Sequence, residues 1–354
     1  MSILKVAEEA GVSPATVSRF INNRVSVSPE KARRIHKAML KLNYTPSVSR
    51  PGPKTADRRA IKTGNITFLS LSDLDPTAMF RMPVFPSLLG GIQQALSEYG
   101  LNLALEHYTG SMPRTISRNR TDGVLIFGAL QPMPKNLHEA LLKVPSVWVM
   151  RAHSDNRNEF DHVFYDNDAV GPLAARYLLE RGHRRLAFIN PQITHTAFPA
   201  RRDAFAQTVQ QSGAQVTVWE ITEEETNRSA AQGIERIVQD MASSPQRPTG
   251  IFVPADDYLL SVFHALRVFG LIPQRDVELI GCNNDQPSLA KMHPRPATID
   301  LNVNVVGRRA VEQLLSRMAD PDDPLARIKL QPTLIEGEAL SAEVIFEFGN
   351  ATSP

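Results

Sequence analysis

The chain has 354 residues, 42% of them hydrophobic and 21% charged. That is enough for a small module and two further domain-sized cores. No run of 18 apolar residues occurs, which excludes a membrane-spanning helix. The single cysteine, Cys282, excludes an intramolecular disulfide framework and a multi-cysteine zinc site, leaving it as a small buried residue on a strand. The formal net charge of +2 hides an asymmetry: residues 1–64 carry 13 Lys/Arg against four acids, a net +9, and the remainder carries 26 against 33, a net −7. A basic module on a mildly acidic body is the pattern of a nucleic-acid-binding head joined to a part that must not bind the polyanion.

The first 45 residues predict three helices. Ser2 can cap a helix through Val6, Ala7 and Ala10 that stops at Gly11. Ser13 caps a second, with Pro14 at its first position, where the fixed φ and missing N–H cost nothing. Ser28 and Pro29 repeat the signal for a third, whose Ile35, Ala38, Met39 and Leu42 share one face. Two short helices around a glycine turn, covered by a third, form a helix-turn-helix head over residues 1–45. With Val17 and Ile21 pointing inward, Pro14, Ala15, Thr16, Ser18, Arg19 and Asn22 face out. That surface, small, hydroxylated and cationic, suits a helix entering the major groove of double-stranded DNA.

Residues 46–64 read PSVSRPGPKTADRRAIKTG. Pro51-Gly52-Pro53 forbids a continuous helix. Arg50 and Lys54 bracket that tripeptide, as an arm for a narrow minor groove would require. The competing reading is a plain basic linker.

From Asn65 on, short apolar strands alternate with amphipathic helices. Strands are expected at Ile66–Leu71, Leu101–Leu105, Val124–Phe127, Val147–Met150, Val163–Tyr165, Leu186–Ile189, Gln215–Trp219, Ile251–Val253 and Val277–Cys282. This is an α/β body over residues 65–340 with parallel sheets and helices on both faces. The strands are too many for one ordinary sheet, so two lobes with a ligand cleft between them are expected. Residues 341–354 lack periodicity and are expected to be a disordered tail.

Several segments in order resemble the LacI/GalR family of bacterial transcription regulators: LKVAEEAGVSPATVSRFINN, VSPEKARRI and LNYTP in the head; LLGGI, RTDGVLI, YDNDAVGPLAARYLLERGHRRLAFI, RRDAF and ATIDLNVNVVGRRAVEQLL in the body. The resemblance implies a repressor whose body is periplasmic-binding-protein-like; a cytoplasmic location is expected from the lack of a secretion pattern and the single cysteine. The resemblance also implies a homodimer, in some members a tetramer, on a palindromic operator, with a small sugar-like metabolite bound between the lobes. The family's base-reading positions fall on Pro14 and Ala15, with Ser13, Thr16, Ser18, Arg19 and Asn22 as further base or phosphate contacts. For the effector they fall on Phe85, Arg151, Arg201 and Asp256, with Asn283 where the family has an aspartate.

Departures are as informative. The leucine that family members wedge into the central minor-groove step is absent, and Pro51-Gly52-Pro53 stands in place of a hinge helix. The family's Asn-Asp pair reads Ala255-Asp256 here and its aspartate after Gly-aromatic reads Asn283, so the cleft has lost an amide and a carboxylate. Either the effector is less polar or differently held, or the body is a dimerisation scaffold with no effector. No GxGxxG, GxxxxGK[ST] or HExxH occurs, and His153, His162 and His195 are not spaced with carboxylates as metal ligands, so no enzyme activity, cofactor or metal is expected. His183 is expected to cap helix carbonyls, and Glu223-Glu224-Glu225 to start a solvated helix.

Overall fold

A computed structural model describes residues 3–21, 28–42, 61–71, 75–128, 133–150 and 159–338. The chain divides into two compact units, Met1–Thr55 and Ala56–Pro354.

The first unit contains α1 (Ile3–Ala10), α2 (Pro14–Ile21) and α3 (Pro29–Lys41). Gly11, at φ +60°, ends α1 in a Schellman closure: its N–H donates to the Glu8 carbonyl at 3.2 Å and the Val12 N–H to the Ala7 carbonyl at 3.0 Å. Ser13 Oγ accepts the Thr16 N–H at 3.2 Å, capping α2 as its position predicts. Val6, Ala7, Ala10, Val17, Ile35 and Ala38 are fully buried, and Val12, Phe20, Met39 and Leu42 close the edges of this core. Helix period and caps therefore agree with the packing.

The second unit opens with β1 (Asn65–Leu71), α4 (Pro76–Arg81), α5 (Val84–Glu98), β2 (Asn102–His107), α6 (Arg114–Ser117), β3 (Gly123–Gly128), α7 (Lys135–Leu141), β4 (Ser146–Val149) and β5 (Asp161–Tyr165). The chain then enters a second lobe: α8 (Val170–Glu180), β6 (Arg185–Asn190), α9 (Phe198–Gln211), β7 (Gln215–Glu220), α10 (Glu223–Ala242), β8 (Gly250–Phe252), α11 (Asp256–Val268), β9 (Glu278–Cys282), α12 (Gln286–Leu289) and β10 (Ala297–Asp300). It returns along α13 (Val303–Ala319) to β11 (Arg327–Leu330) and ends on β12 (Thr333–Ile335). The two six-stranded sheets run β11-β5-β4-β3-β1-β2 and β12-β10-β9-β8-β6-β7. Every pairing is parallel except β10 with β12. Among the described residues no helix is long and apolar enough to cross a membrane.

Alternation along each strand sends side chains to two covered faces. On β3, Val124 and Ile126 join Trp148, Ile116, Leu137 and Leu141 on one side. Leu125 and Phe127 join the core formed with α5 and α13 on the other. That second core continues without a break into the other lobe, through Val170, Phe188, Phe205, Phe252 and Cys282. Cys282 is buried on β9, as expected, and burial pushes its thiol up to about 12. The acidic run Glu223-Glu224-Glu225 starts α10 as expected, and Thr222 with Glu225 builds a capping box there. One expectation needs adjustment. The His183 ring bonds Thr249 Oγ1 at 2.9 Å and the Glu278 carboxylate at 2.7 Å, because the residue before β8 and the first residue of β9 lie beside it and offer better partners than helix carbonyls.

Three crossings join the lobes, after β5, after β10 and after β11, and hydrogen bonds tie them together. Asp166 Oδ2 accepts from Lys329 Nζ at 2.9 Å and from Gln331 Nε2 at 3.1 Å. Asn302 Nδ2 donates to the Gln331 carbonyl and to Thr333 Oγ1, each at 3.0 Å.

Helix α13 reaches α5 through a pair of glycines. A Cβ on Gly91 would lie 2.0 Å from the Asn304 carbonyl oxygen, and one on Gly307 would lie 2.5 Å from that of Leu88. Both obstacles are backbone, so no rotamer change relieves them. Gly307→Ala is expected to destabilise the body by about 1–3 kcal/mol in chemical denaturation. Helix propensity alone would stabilise by about 1 kcal/mol, so a more stable variant would refute the close packing.

Candidate DNA-reading face and effector cleft

In the head, Ser13 Oγ lies 2.8 Å from Thr16 Oγ1 in addition to capping α2. Ser13 and Pro14 are exposed and Thr16 is half-buried, while Val17 behind them is fully buried. Ala15, Ser18 and Arg19 lie within α2. The first turn of α2 thus presents a hydroxyl pair beside the face that packs into the head. Asn22, Arg50 and Lys54 fall outside the described residues, as do most of the linker and the 341–354 tail.

In the body, the residues singled out from the sequence converge only in part. Arg201, near the start of α9, is 2% exposed and holds three ends of chain together. Its Nε donates to Asn167 Oδ1 at 2.9 Å, Nη1 to the Pro254 carbonyl at 2.6 Å and Nη2 to Tyr165 Oη at 3.4 Å. Asn167 Nδ2 in turn donates to the Ala197 carbonyl at 3.0 Å. Tyr165 ends β5 and Pro254 follows β8, so the cluster stands at the carboxyl ends of parallel strands, where ligands bind in such sheets.

Asp256, first residue of α11, is fully buried. Its carboxylate accepts the Thr298 hydroxyl at 2.9 Å and the Asp285 N–H at 2.8 Å. Burial raises its pKa well above the ordinary carboxylate value, against the lowering effect of those two donors. A Cβ on Gly281 would lie 2.0 Å from Asp256 Oδ1, so the glycine of Gly281-Cys282 makes room for this carboxyl. Asn283, at φ +101° and half-buried, follows directly on β9 and donates its N–H to the Ile299 carbonyl at 2.8 Å.

Phe85 stands apart from this cluster. It is 1% exposed and packs edge-on to Phe68 and Phe80, with ring centroids 5.7 and 5.1 Å away, and against Phe127 at 5.4 Å. The accessible aromatic of that group is Phe80, half exposed on α4. Arg151 falls outside the described residues.

Sequence reasoning missed the partners of Arg201, namely Tyr165, Asn167 and Pro254, and also His195. The His195 ring stacks on Phe198 with centroids 3.8 Å apart. Burial first, and Arg201 second, push its pKa down to about 4. Its Nδ1 accepts the Ala197 N–H at 3.2 Å, so the neutral ring carries its hydrogen on Nε2. The available signal was a polar residue just past an apolar strand: Asn167 two positions after β5 and His195 five after β6.

A helix-turn-helix head on a two-lobed, doubly wound α/β body defines a DNA-binding transcription regulator rather than an enzyme. Residues 2–47 match the lacI family of bacterial regulatory proteins, and residues 175–340 match a periplasmic binding protein-like domain. The HTH-type transcriptional repressor PurR of Edwardsiella ictaluri is 26% identical over 348 residues, covering 96% of this chain and 97% of its own. The ribose operon repressor of Escherichia coli is 26% identical over 341 residues, covering 94% and 97%. Among solved structures, the transcriptional regulator CelR in complex with cellobiose superposes with a TM-score of 0.62 at 22% identity, covering 96% of this chain and all of that one. The chain thus joins a lacI-family regulatory head to a periplasmic binding protein-like domain.

Proposed function

We propose that two copies of the chain, in the cytoplasm, repress transcription by binding a palindromic operator, and that a small sugar-like metabolite between the body lobes sets their affinity for it. Ser13, Pro14, Ala15, Thr16, Ser18, Arg19 and Asn22 make the major-groove and phosphate contacts, and Arg50 and Lys54 hold the minor groove at the operator centre. Pro14 and Ala15 have no side-chain donor, so their readout is apolar and more discrimination falls on Arg19. Phe85, Arg151, Arg201, Asp256 and Asn283 belong to the effector site or its supporting shell. The observation that carries the effector reading is Arg201, which joins the carboxyl ends of β5, in the first sheet, and β8, in the second, to α9. A ligand closing the lobes there would act on all three.

The test is a thermal-shift screen of the full chain over sugars and nucleosides, followed by selection of bound sites from random duplex DNA with and without the hit. An effector at about 100 times its Kd adds about 2.7 kcal/mol of stability. A palindrome with an A·T-rich centre, bound differently when the hit is present, is expected. A palindrome with no stabilising compound would leave the body as a dimerisation scaffold, and a C·G centre would remove the minor-groove arm.

A further inference from the structure

The last residues of the basic linker end on a buried carboxylate. Asp122, between β2 and β3, is 8% exposed, and three successive main-chain N–H groups point at it. Oδ1 accepts from Lys62 at 3.0 Å and Thr63 at 2.9 Å; Oδ2 accepts from Thr63 at 3.0 Å and Gly64 at 2.7 Å. Gly64 adopts φ +71°, a left-handed conformation glycine takes without strain. Consecutive amides converging on one anion form the backbone nest that binds carboxylates and phosphates.

Strand β1 does not need this contact. From Asn65 it is paired on both sides, with β2 and β3. Its start is fixed further by the Asp122 N–H on the Asn65 carbonyl at 2.8 Å and the Asn102 N–H on the Gly64 carbonyl at 2.9 Å. Residues 62–64 belong to neither helix nor strand, and the only side chain acting on their amides among the described residues is Asp122.

We propose that Asp122 is a positioning residue that fixes where the linker is anchored to the body, and thereby sets the half-site spacing the dimer accepts. The proposal rests on the DNA-binding reading above. Three residues released from the nest lengthen each linker by up to about 10 Å. One base-pair step is about 3.4 Å, so that slack can absorb an inserted or deleted base pair on either side.

The experiment measures affinity of the full chain for the operator selected from random DNA, and for versions with the half-sites moved by one and two base pairs. The wild type is expected to lose about tenfold or more on the first change of spacing. Asp122→Asn, which places an amide donor against three N–H groups, is expected to lose less than about threefold at altered spacings. Amide exchange of Lys62–Gly64 should accelerate in that variant while β1 amides stay protected, which separates release of the linker from unfolding. A wild-type linker lengthened by two glycines before Ile61 should reproduce the flattened spacing dependence without touching Asp122. Loss of β1 protection in Asp122→Asn, or unchanged spacing dependence in either altered protein, overturns the role of Asp122. A wild type that selects no operator fails at the earlier reading instead.

Discussion

Arg317→Met is expected to destabilise the body by about 3–5 kcal/mol, the cost of stranding one member of a buried ion pair. Arg317, on α13, meets Asp161, on β5, in a fork: Nε donates to Oδ2 at 2.9 Å and Nη2 to Oδ1 at 3.0 Å. Asp161 is fully buried and Arg317 nearly so. The remaining guanidinium hydrogens close the turn before β11 by donating to the carbonyls of Pro321, Asp323 and Pro324. The Ala326 N–H returns to Asp161 at 2.6 Å. One pair therefore holds α13, the turn and two neighbouring strands of the first sheet.

The pH dependence supplies the control. Burial alone would raise the Asp161 carboxyl, but Arg317 and the Ala326 N–H outweigh it and hold the pKa below the ordinary value. A depressed acid stabilises the fold above its unfolded pKa, near 3.9, and that stability is lost as pH falls through the folded value. In Arg317→Met the same carboxylate keeps its burial and loses its cation, so its pKa rises and the penalty grows with pH. The stability gap between the two proteins, read from urea denaturation, should be wide at pH 7 and narrow toward pH 4. Adding Asp161→Asn to Arg317→Met should recover part of the loss, since the stranded charge is then gone. A gap independent of pH would mean that Arg317 acts through packing alone.

The head was legible because its signals are local. Ser13, Pro14, Gly11 and the face of Ile35, Ala38, Met39 and Leu42 each act within one or two turns. The inner strands were legible as apolar runs, since both faces of each sheet are covered. What escaped was long-range. β11 is a half-exposed four-residue strand that pairs with β5 some 160 positions earlier, and β12 returns antiparallel to the other sheet; neither carries a local signature. The return helix α13 lies inside a segment noted only for its family resemblance, and its packing on α5 depends on two glycines far apart in sequence. The same limit governs the sites. Arg201 could be singled out from RRDAF, but its partners come from two other strand ends, those of β5 and β8. Asp122 and Asp161 are ordinary aspartates until the fold surrounds one with amides and the other with a guanidinium.

Operator affinity is expected to fall about 10³-fold between roughly 50 and 200 mM salt if the dimer neutralises about six phosphates. The reason is the division of charge along the chain. Residues 1–64 carry a net +9 and the rest a net −7, so the body repels the polyanion and the heads and linkers supply the counterion release. The measurement is fluorescence anisotropy of a labelled operator duplex over that salt range, with log K plotted against log salt. A slope shallower than about −2 would mean that fewer than about three phosphates are neutralised and that the basic head does not grip the backbone. Replacing Arg50 and Lys54 by alanine separates two uses of the linker charges. If they only add phosphate attraction, the slope relaxes by about 4 for the dimer and every sequence loses affinity alike. If they enter a narrow minor groove, the loss concentrates on operators with an A·T-rich centre, where the groove's negative potential is strongest. In that case exchanging the central step for C·G should cost the wild type affinity and leave the double variant nearly unchanged.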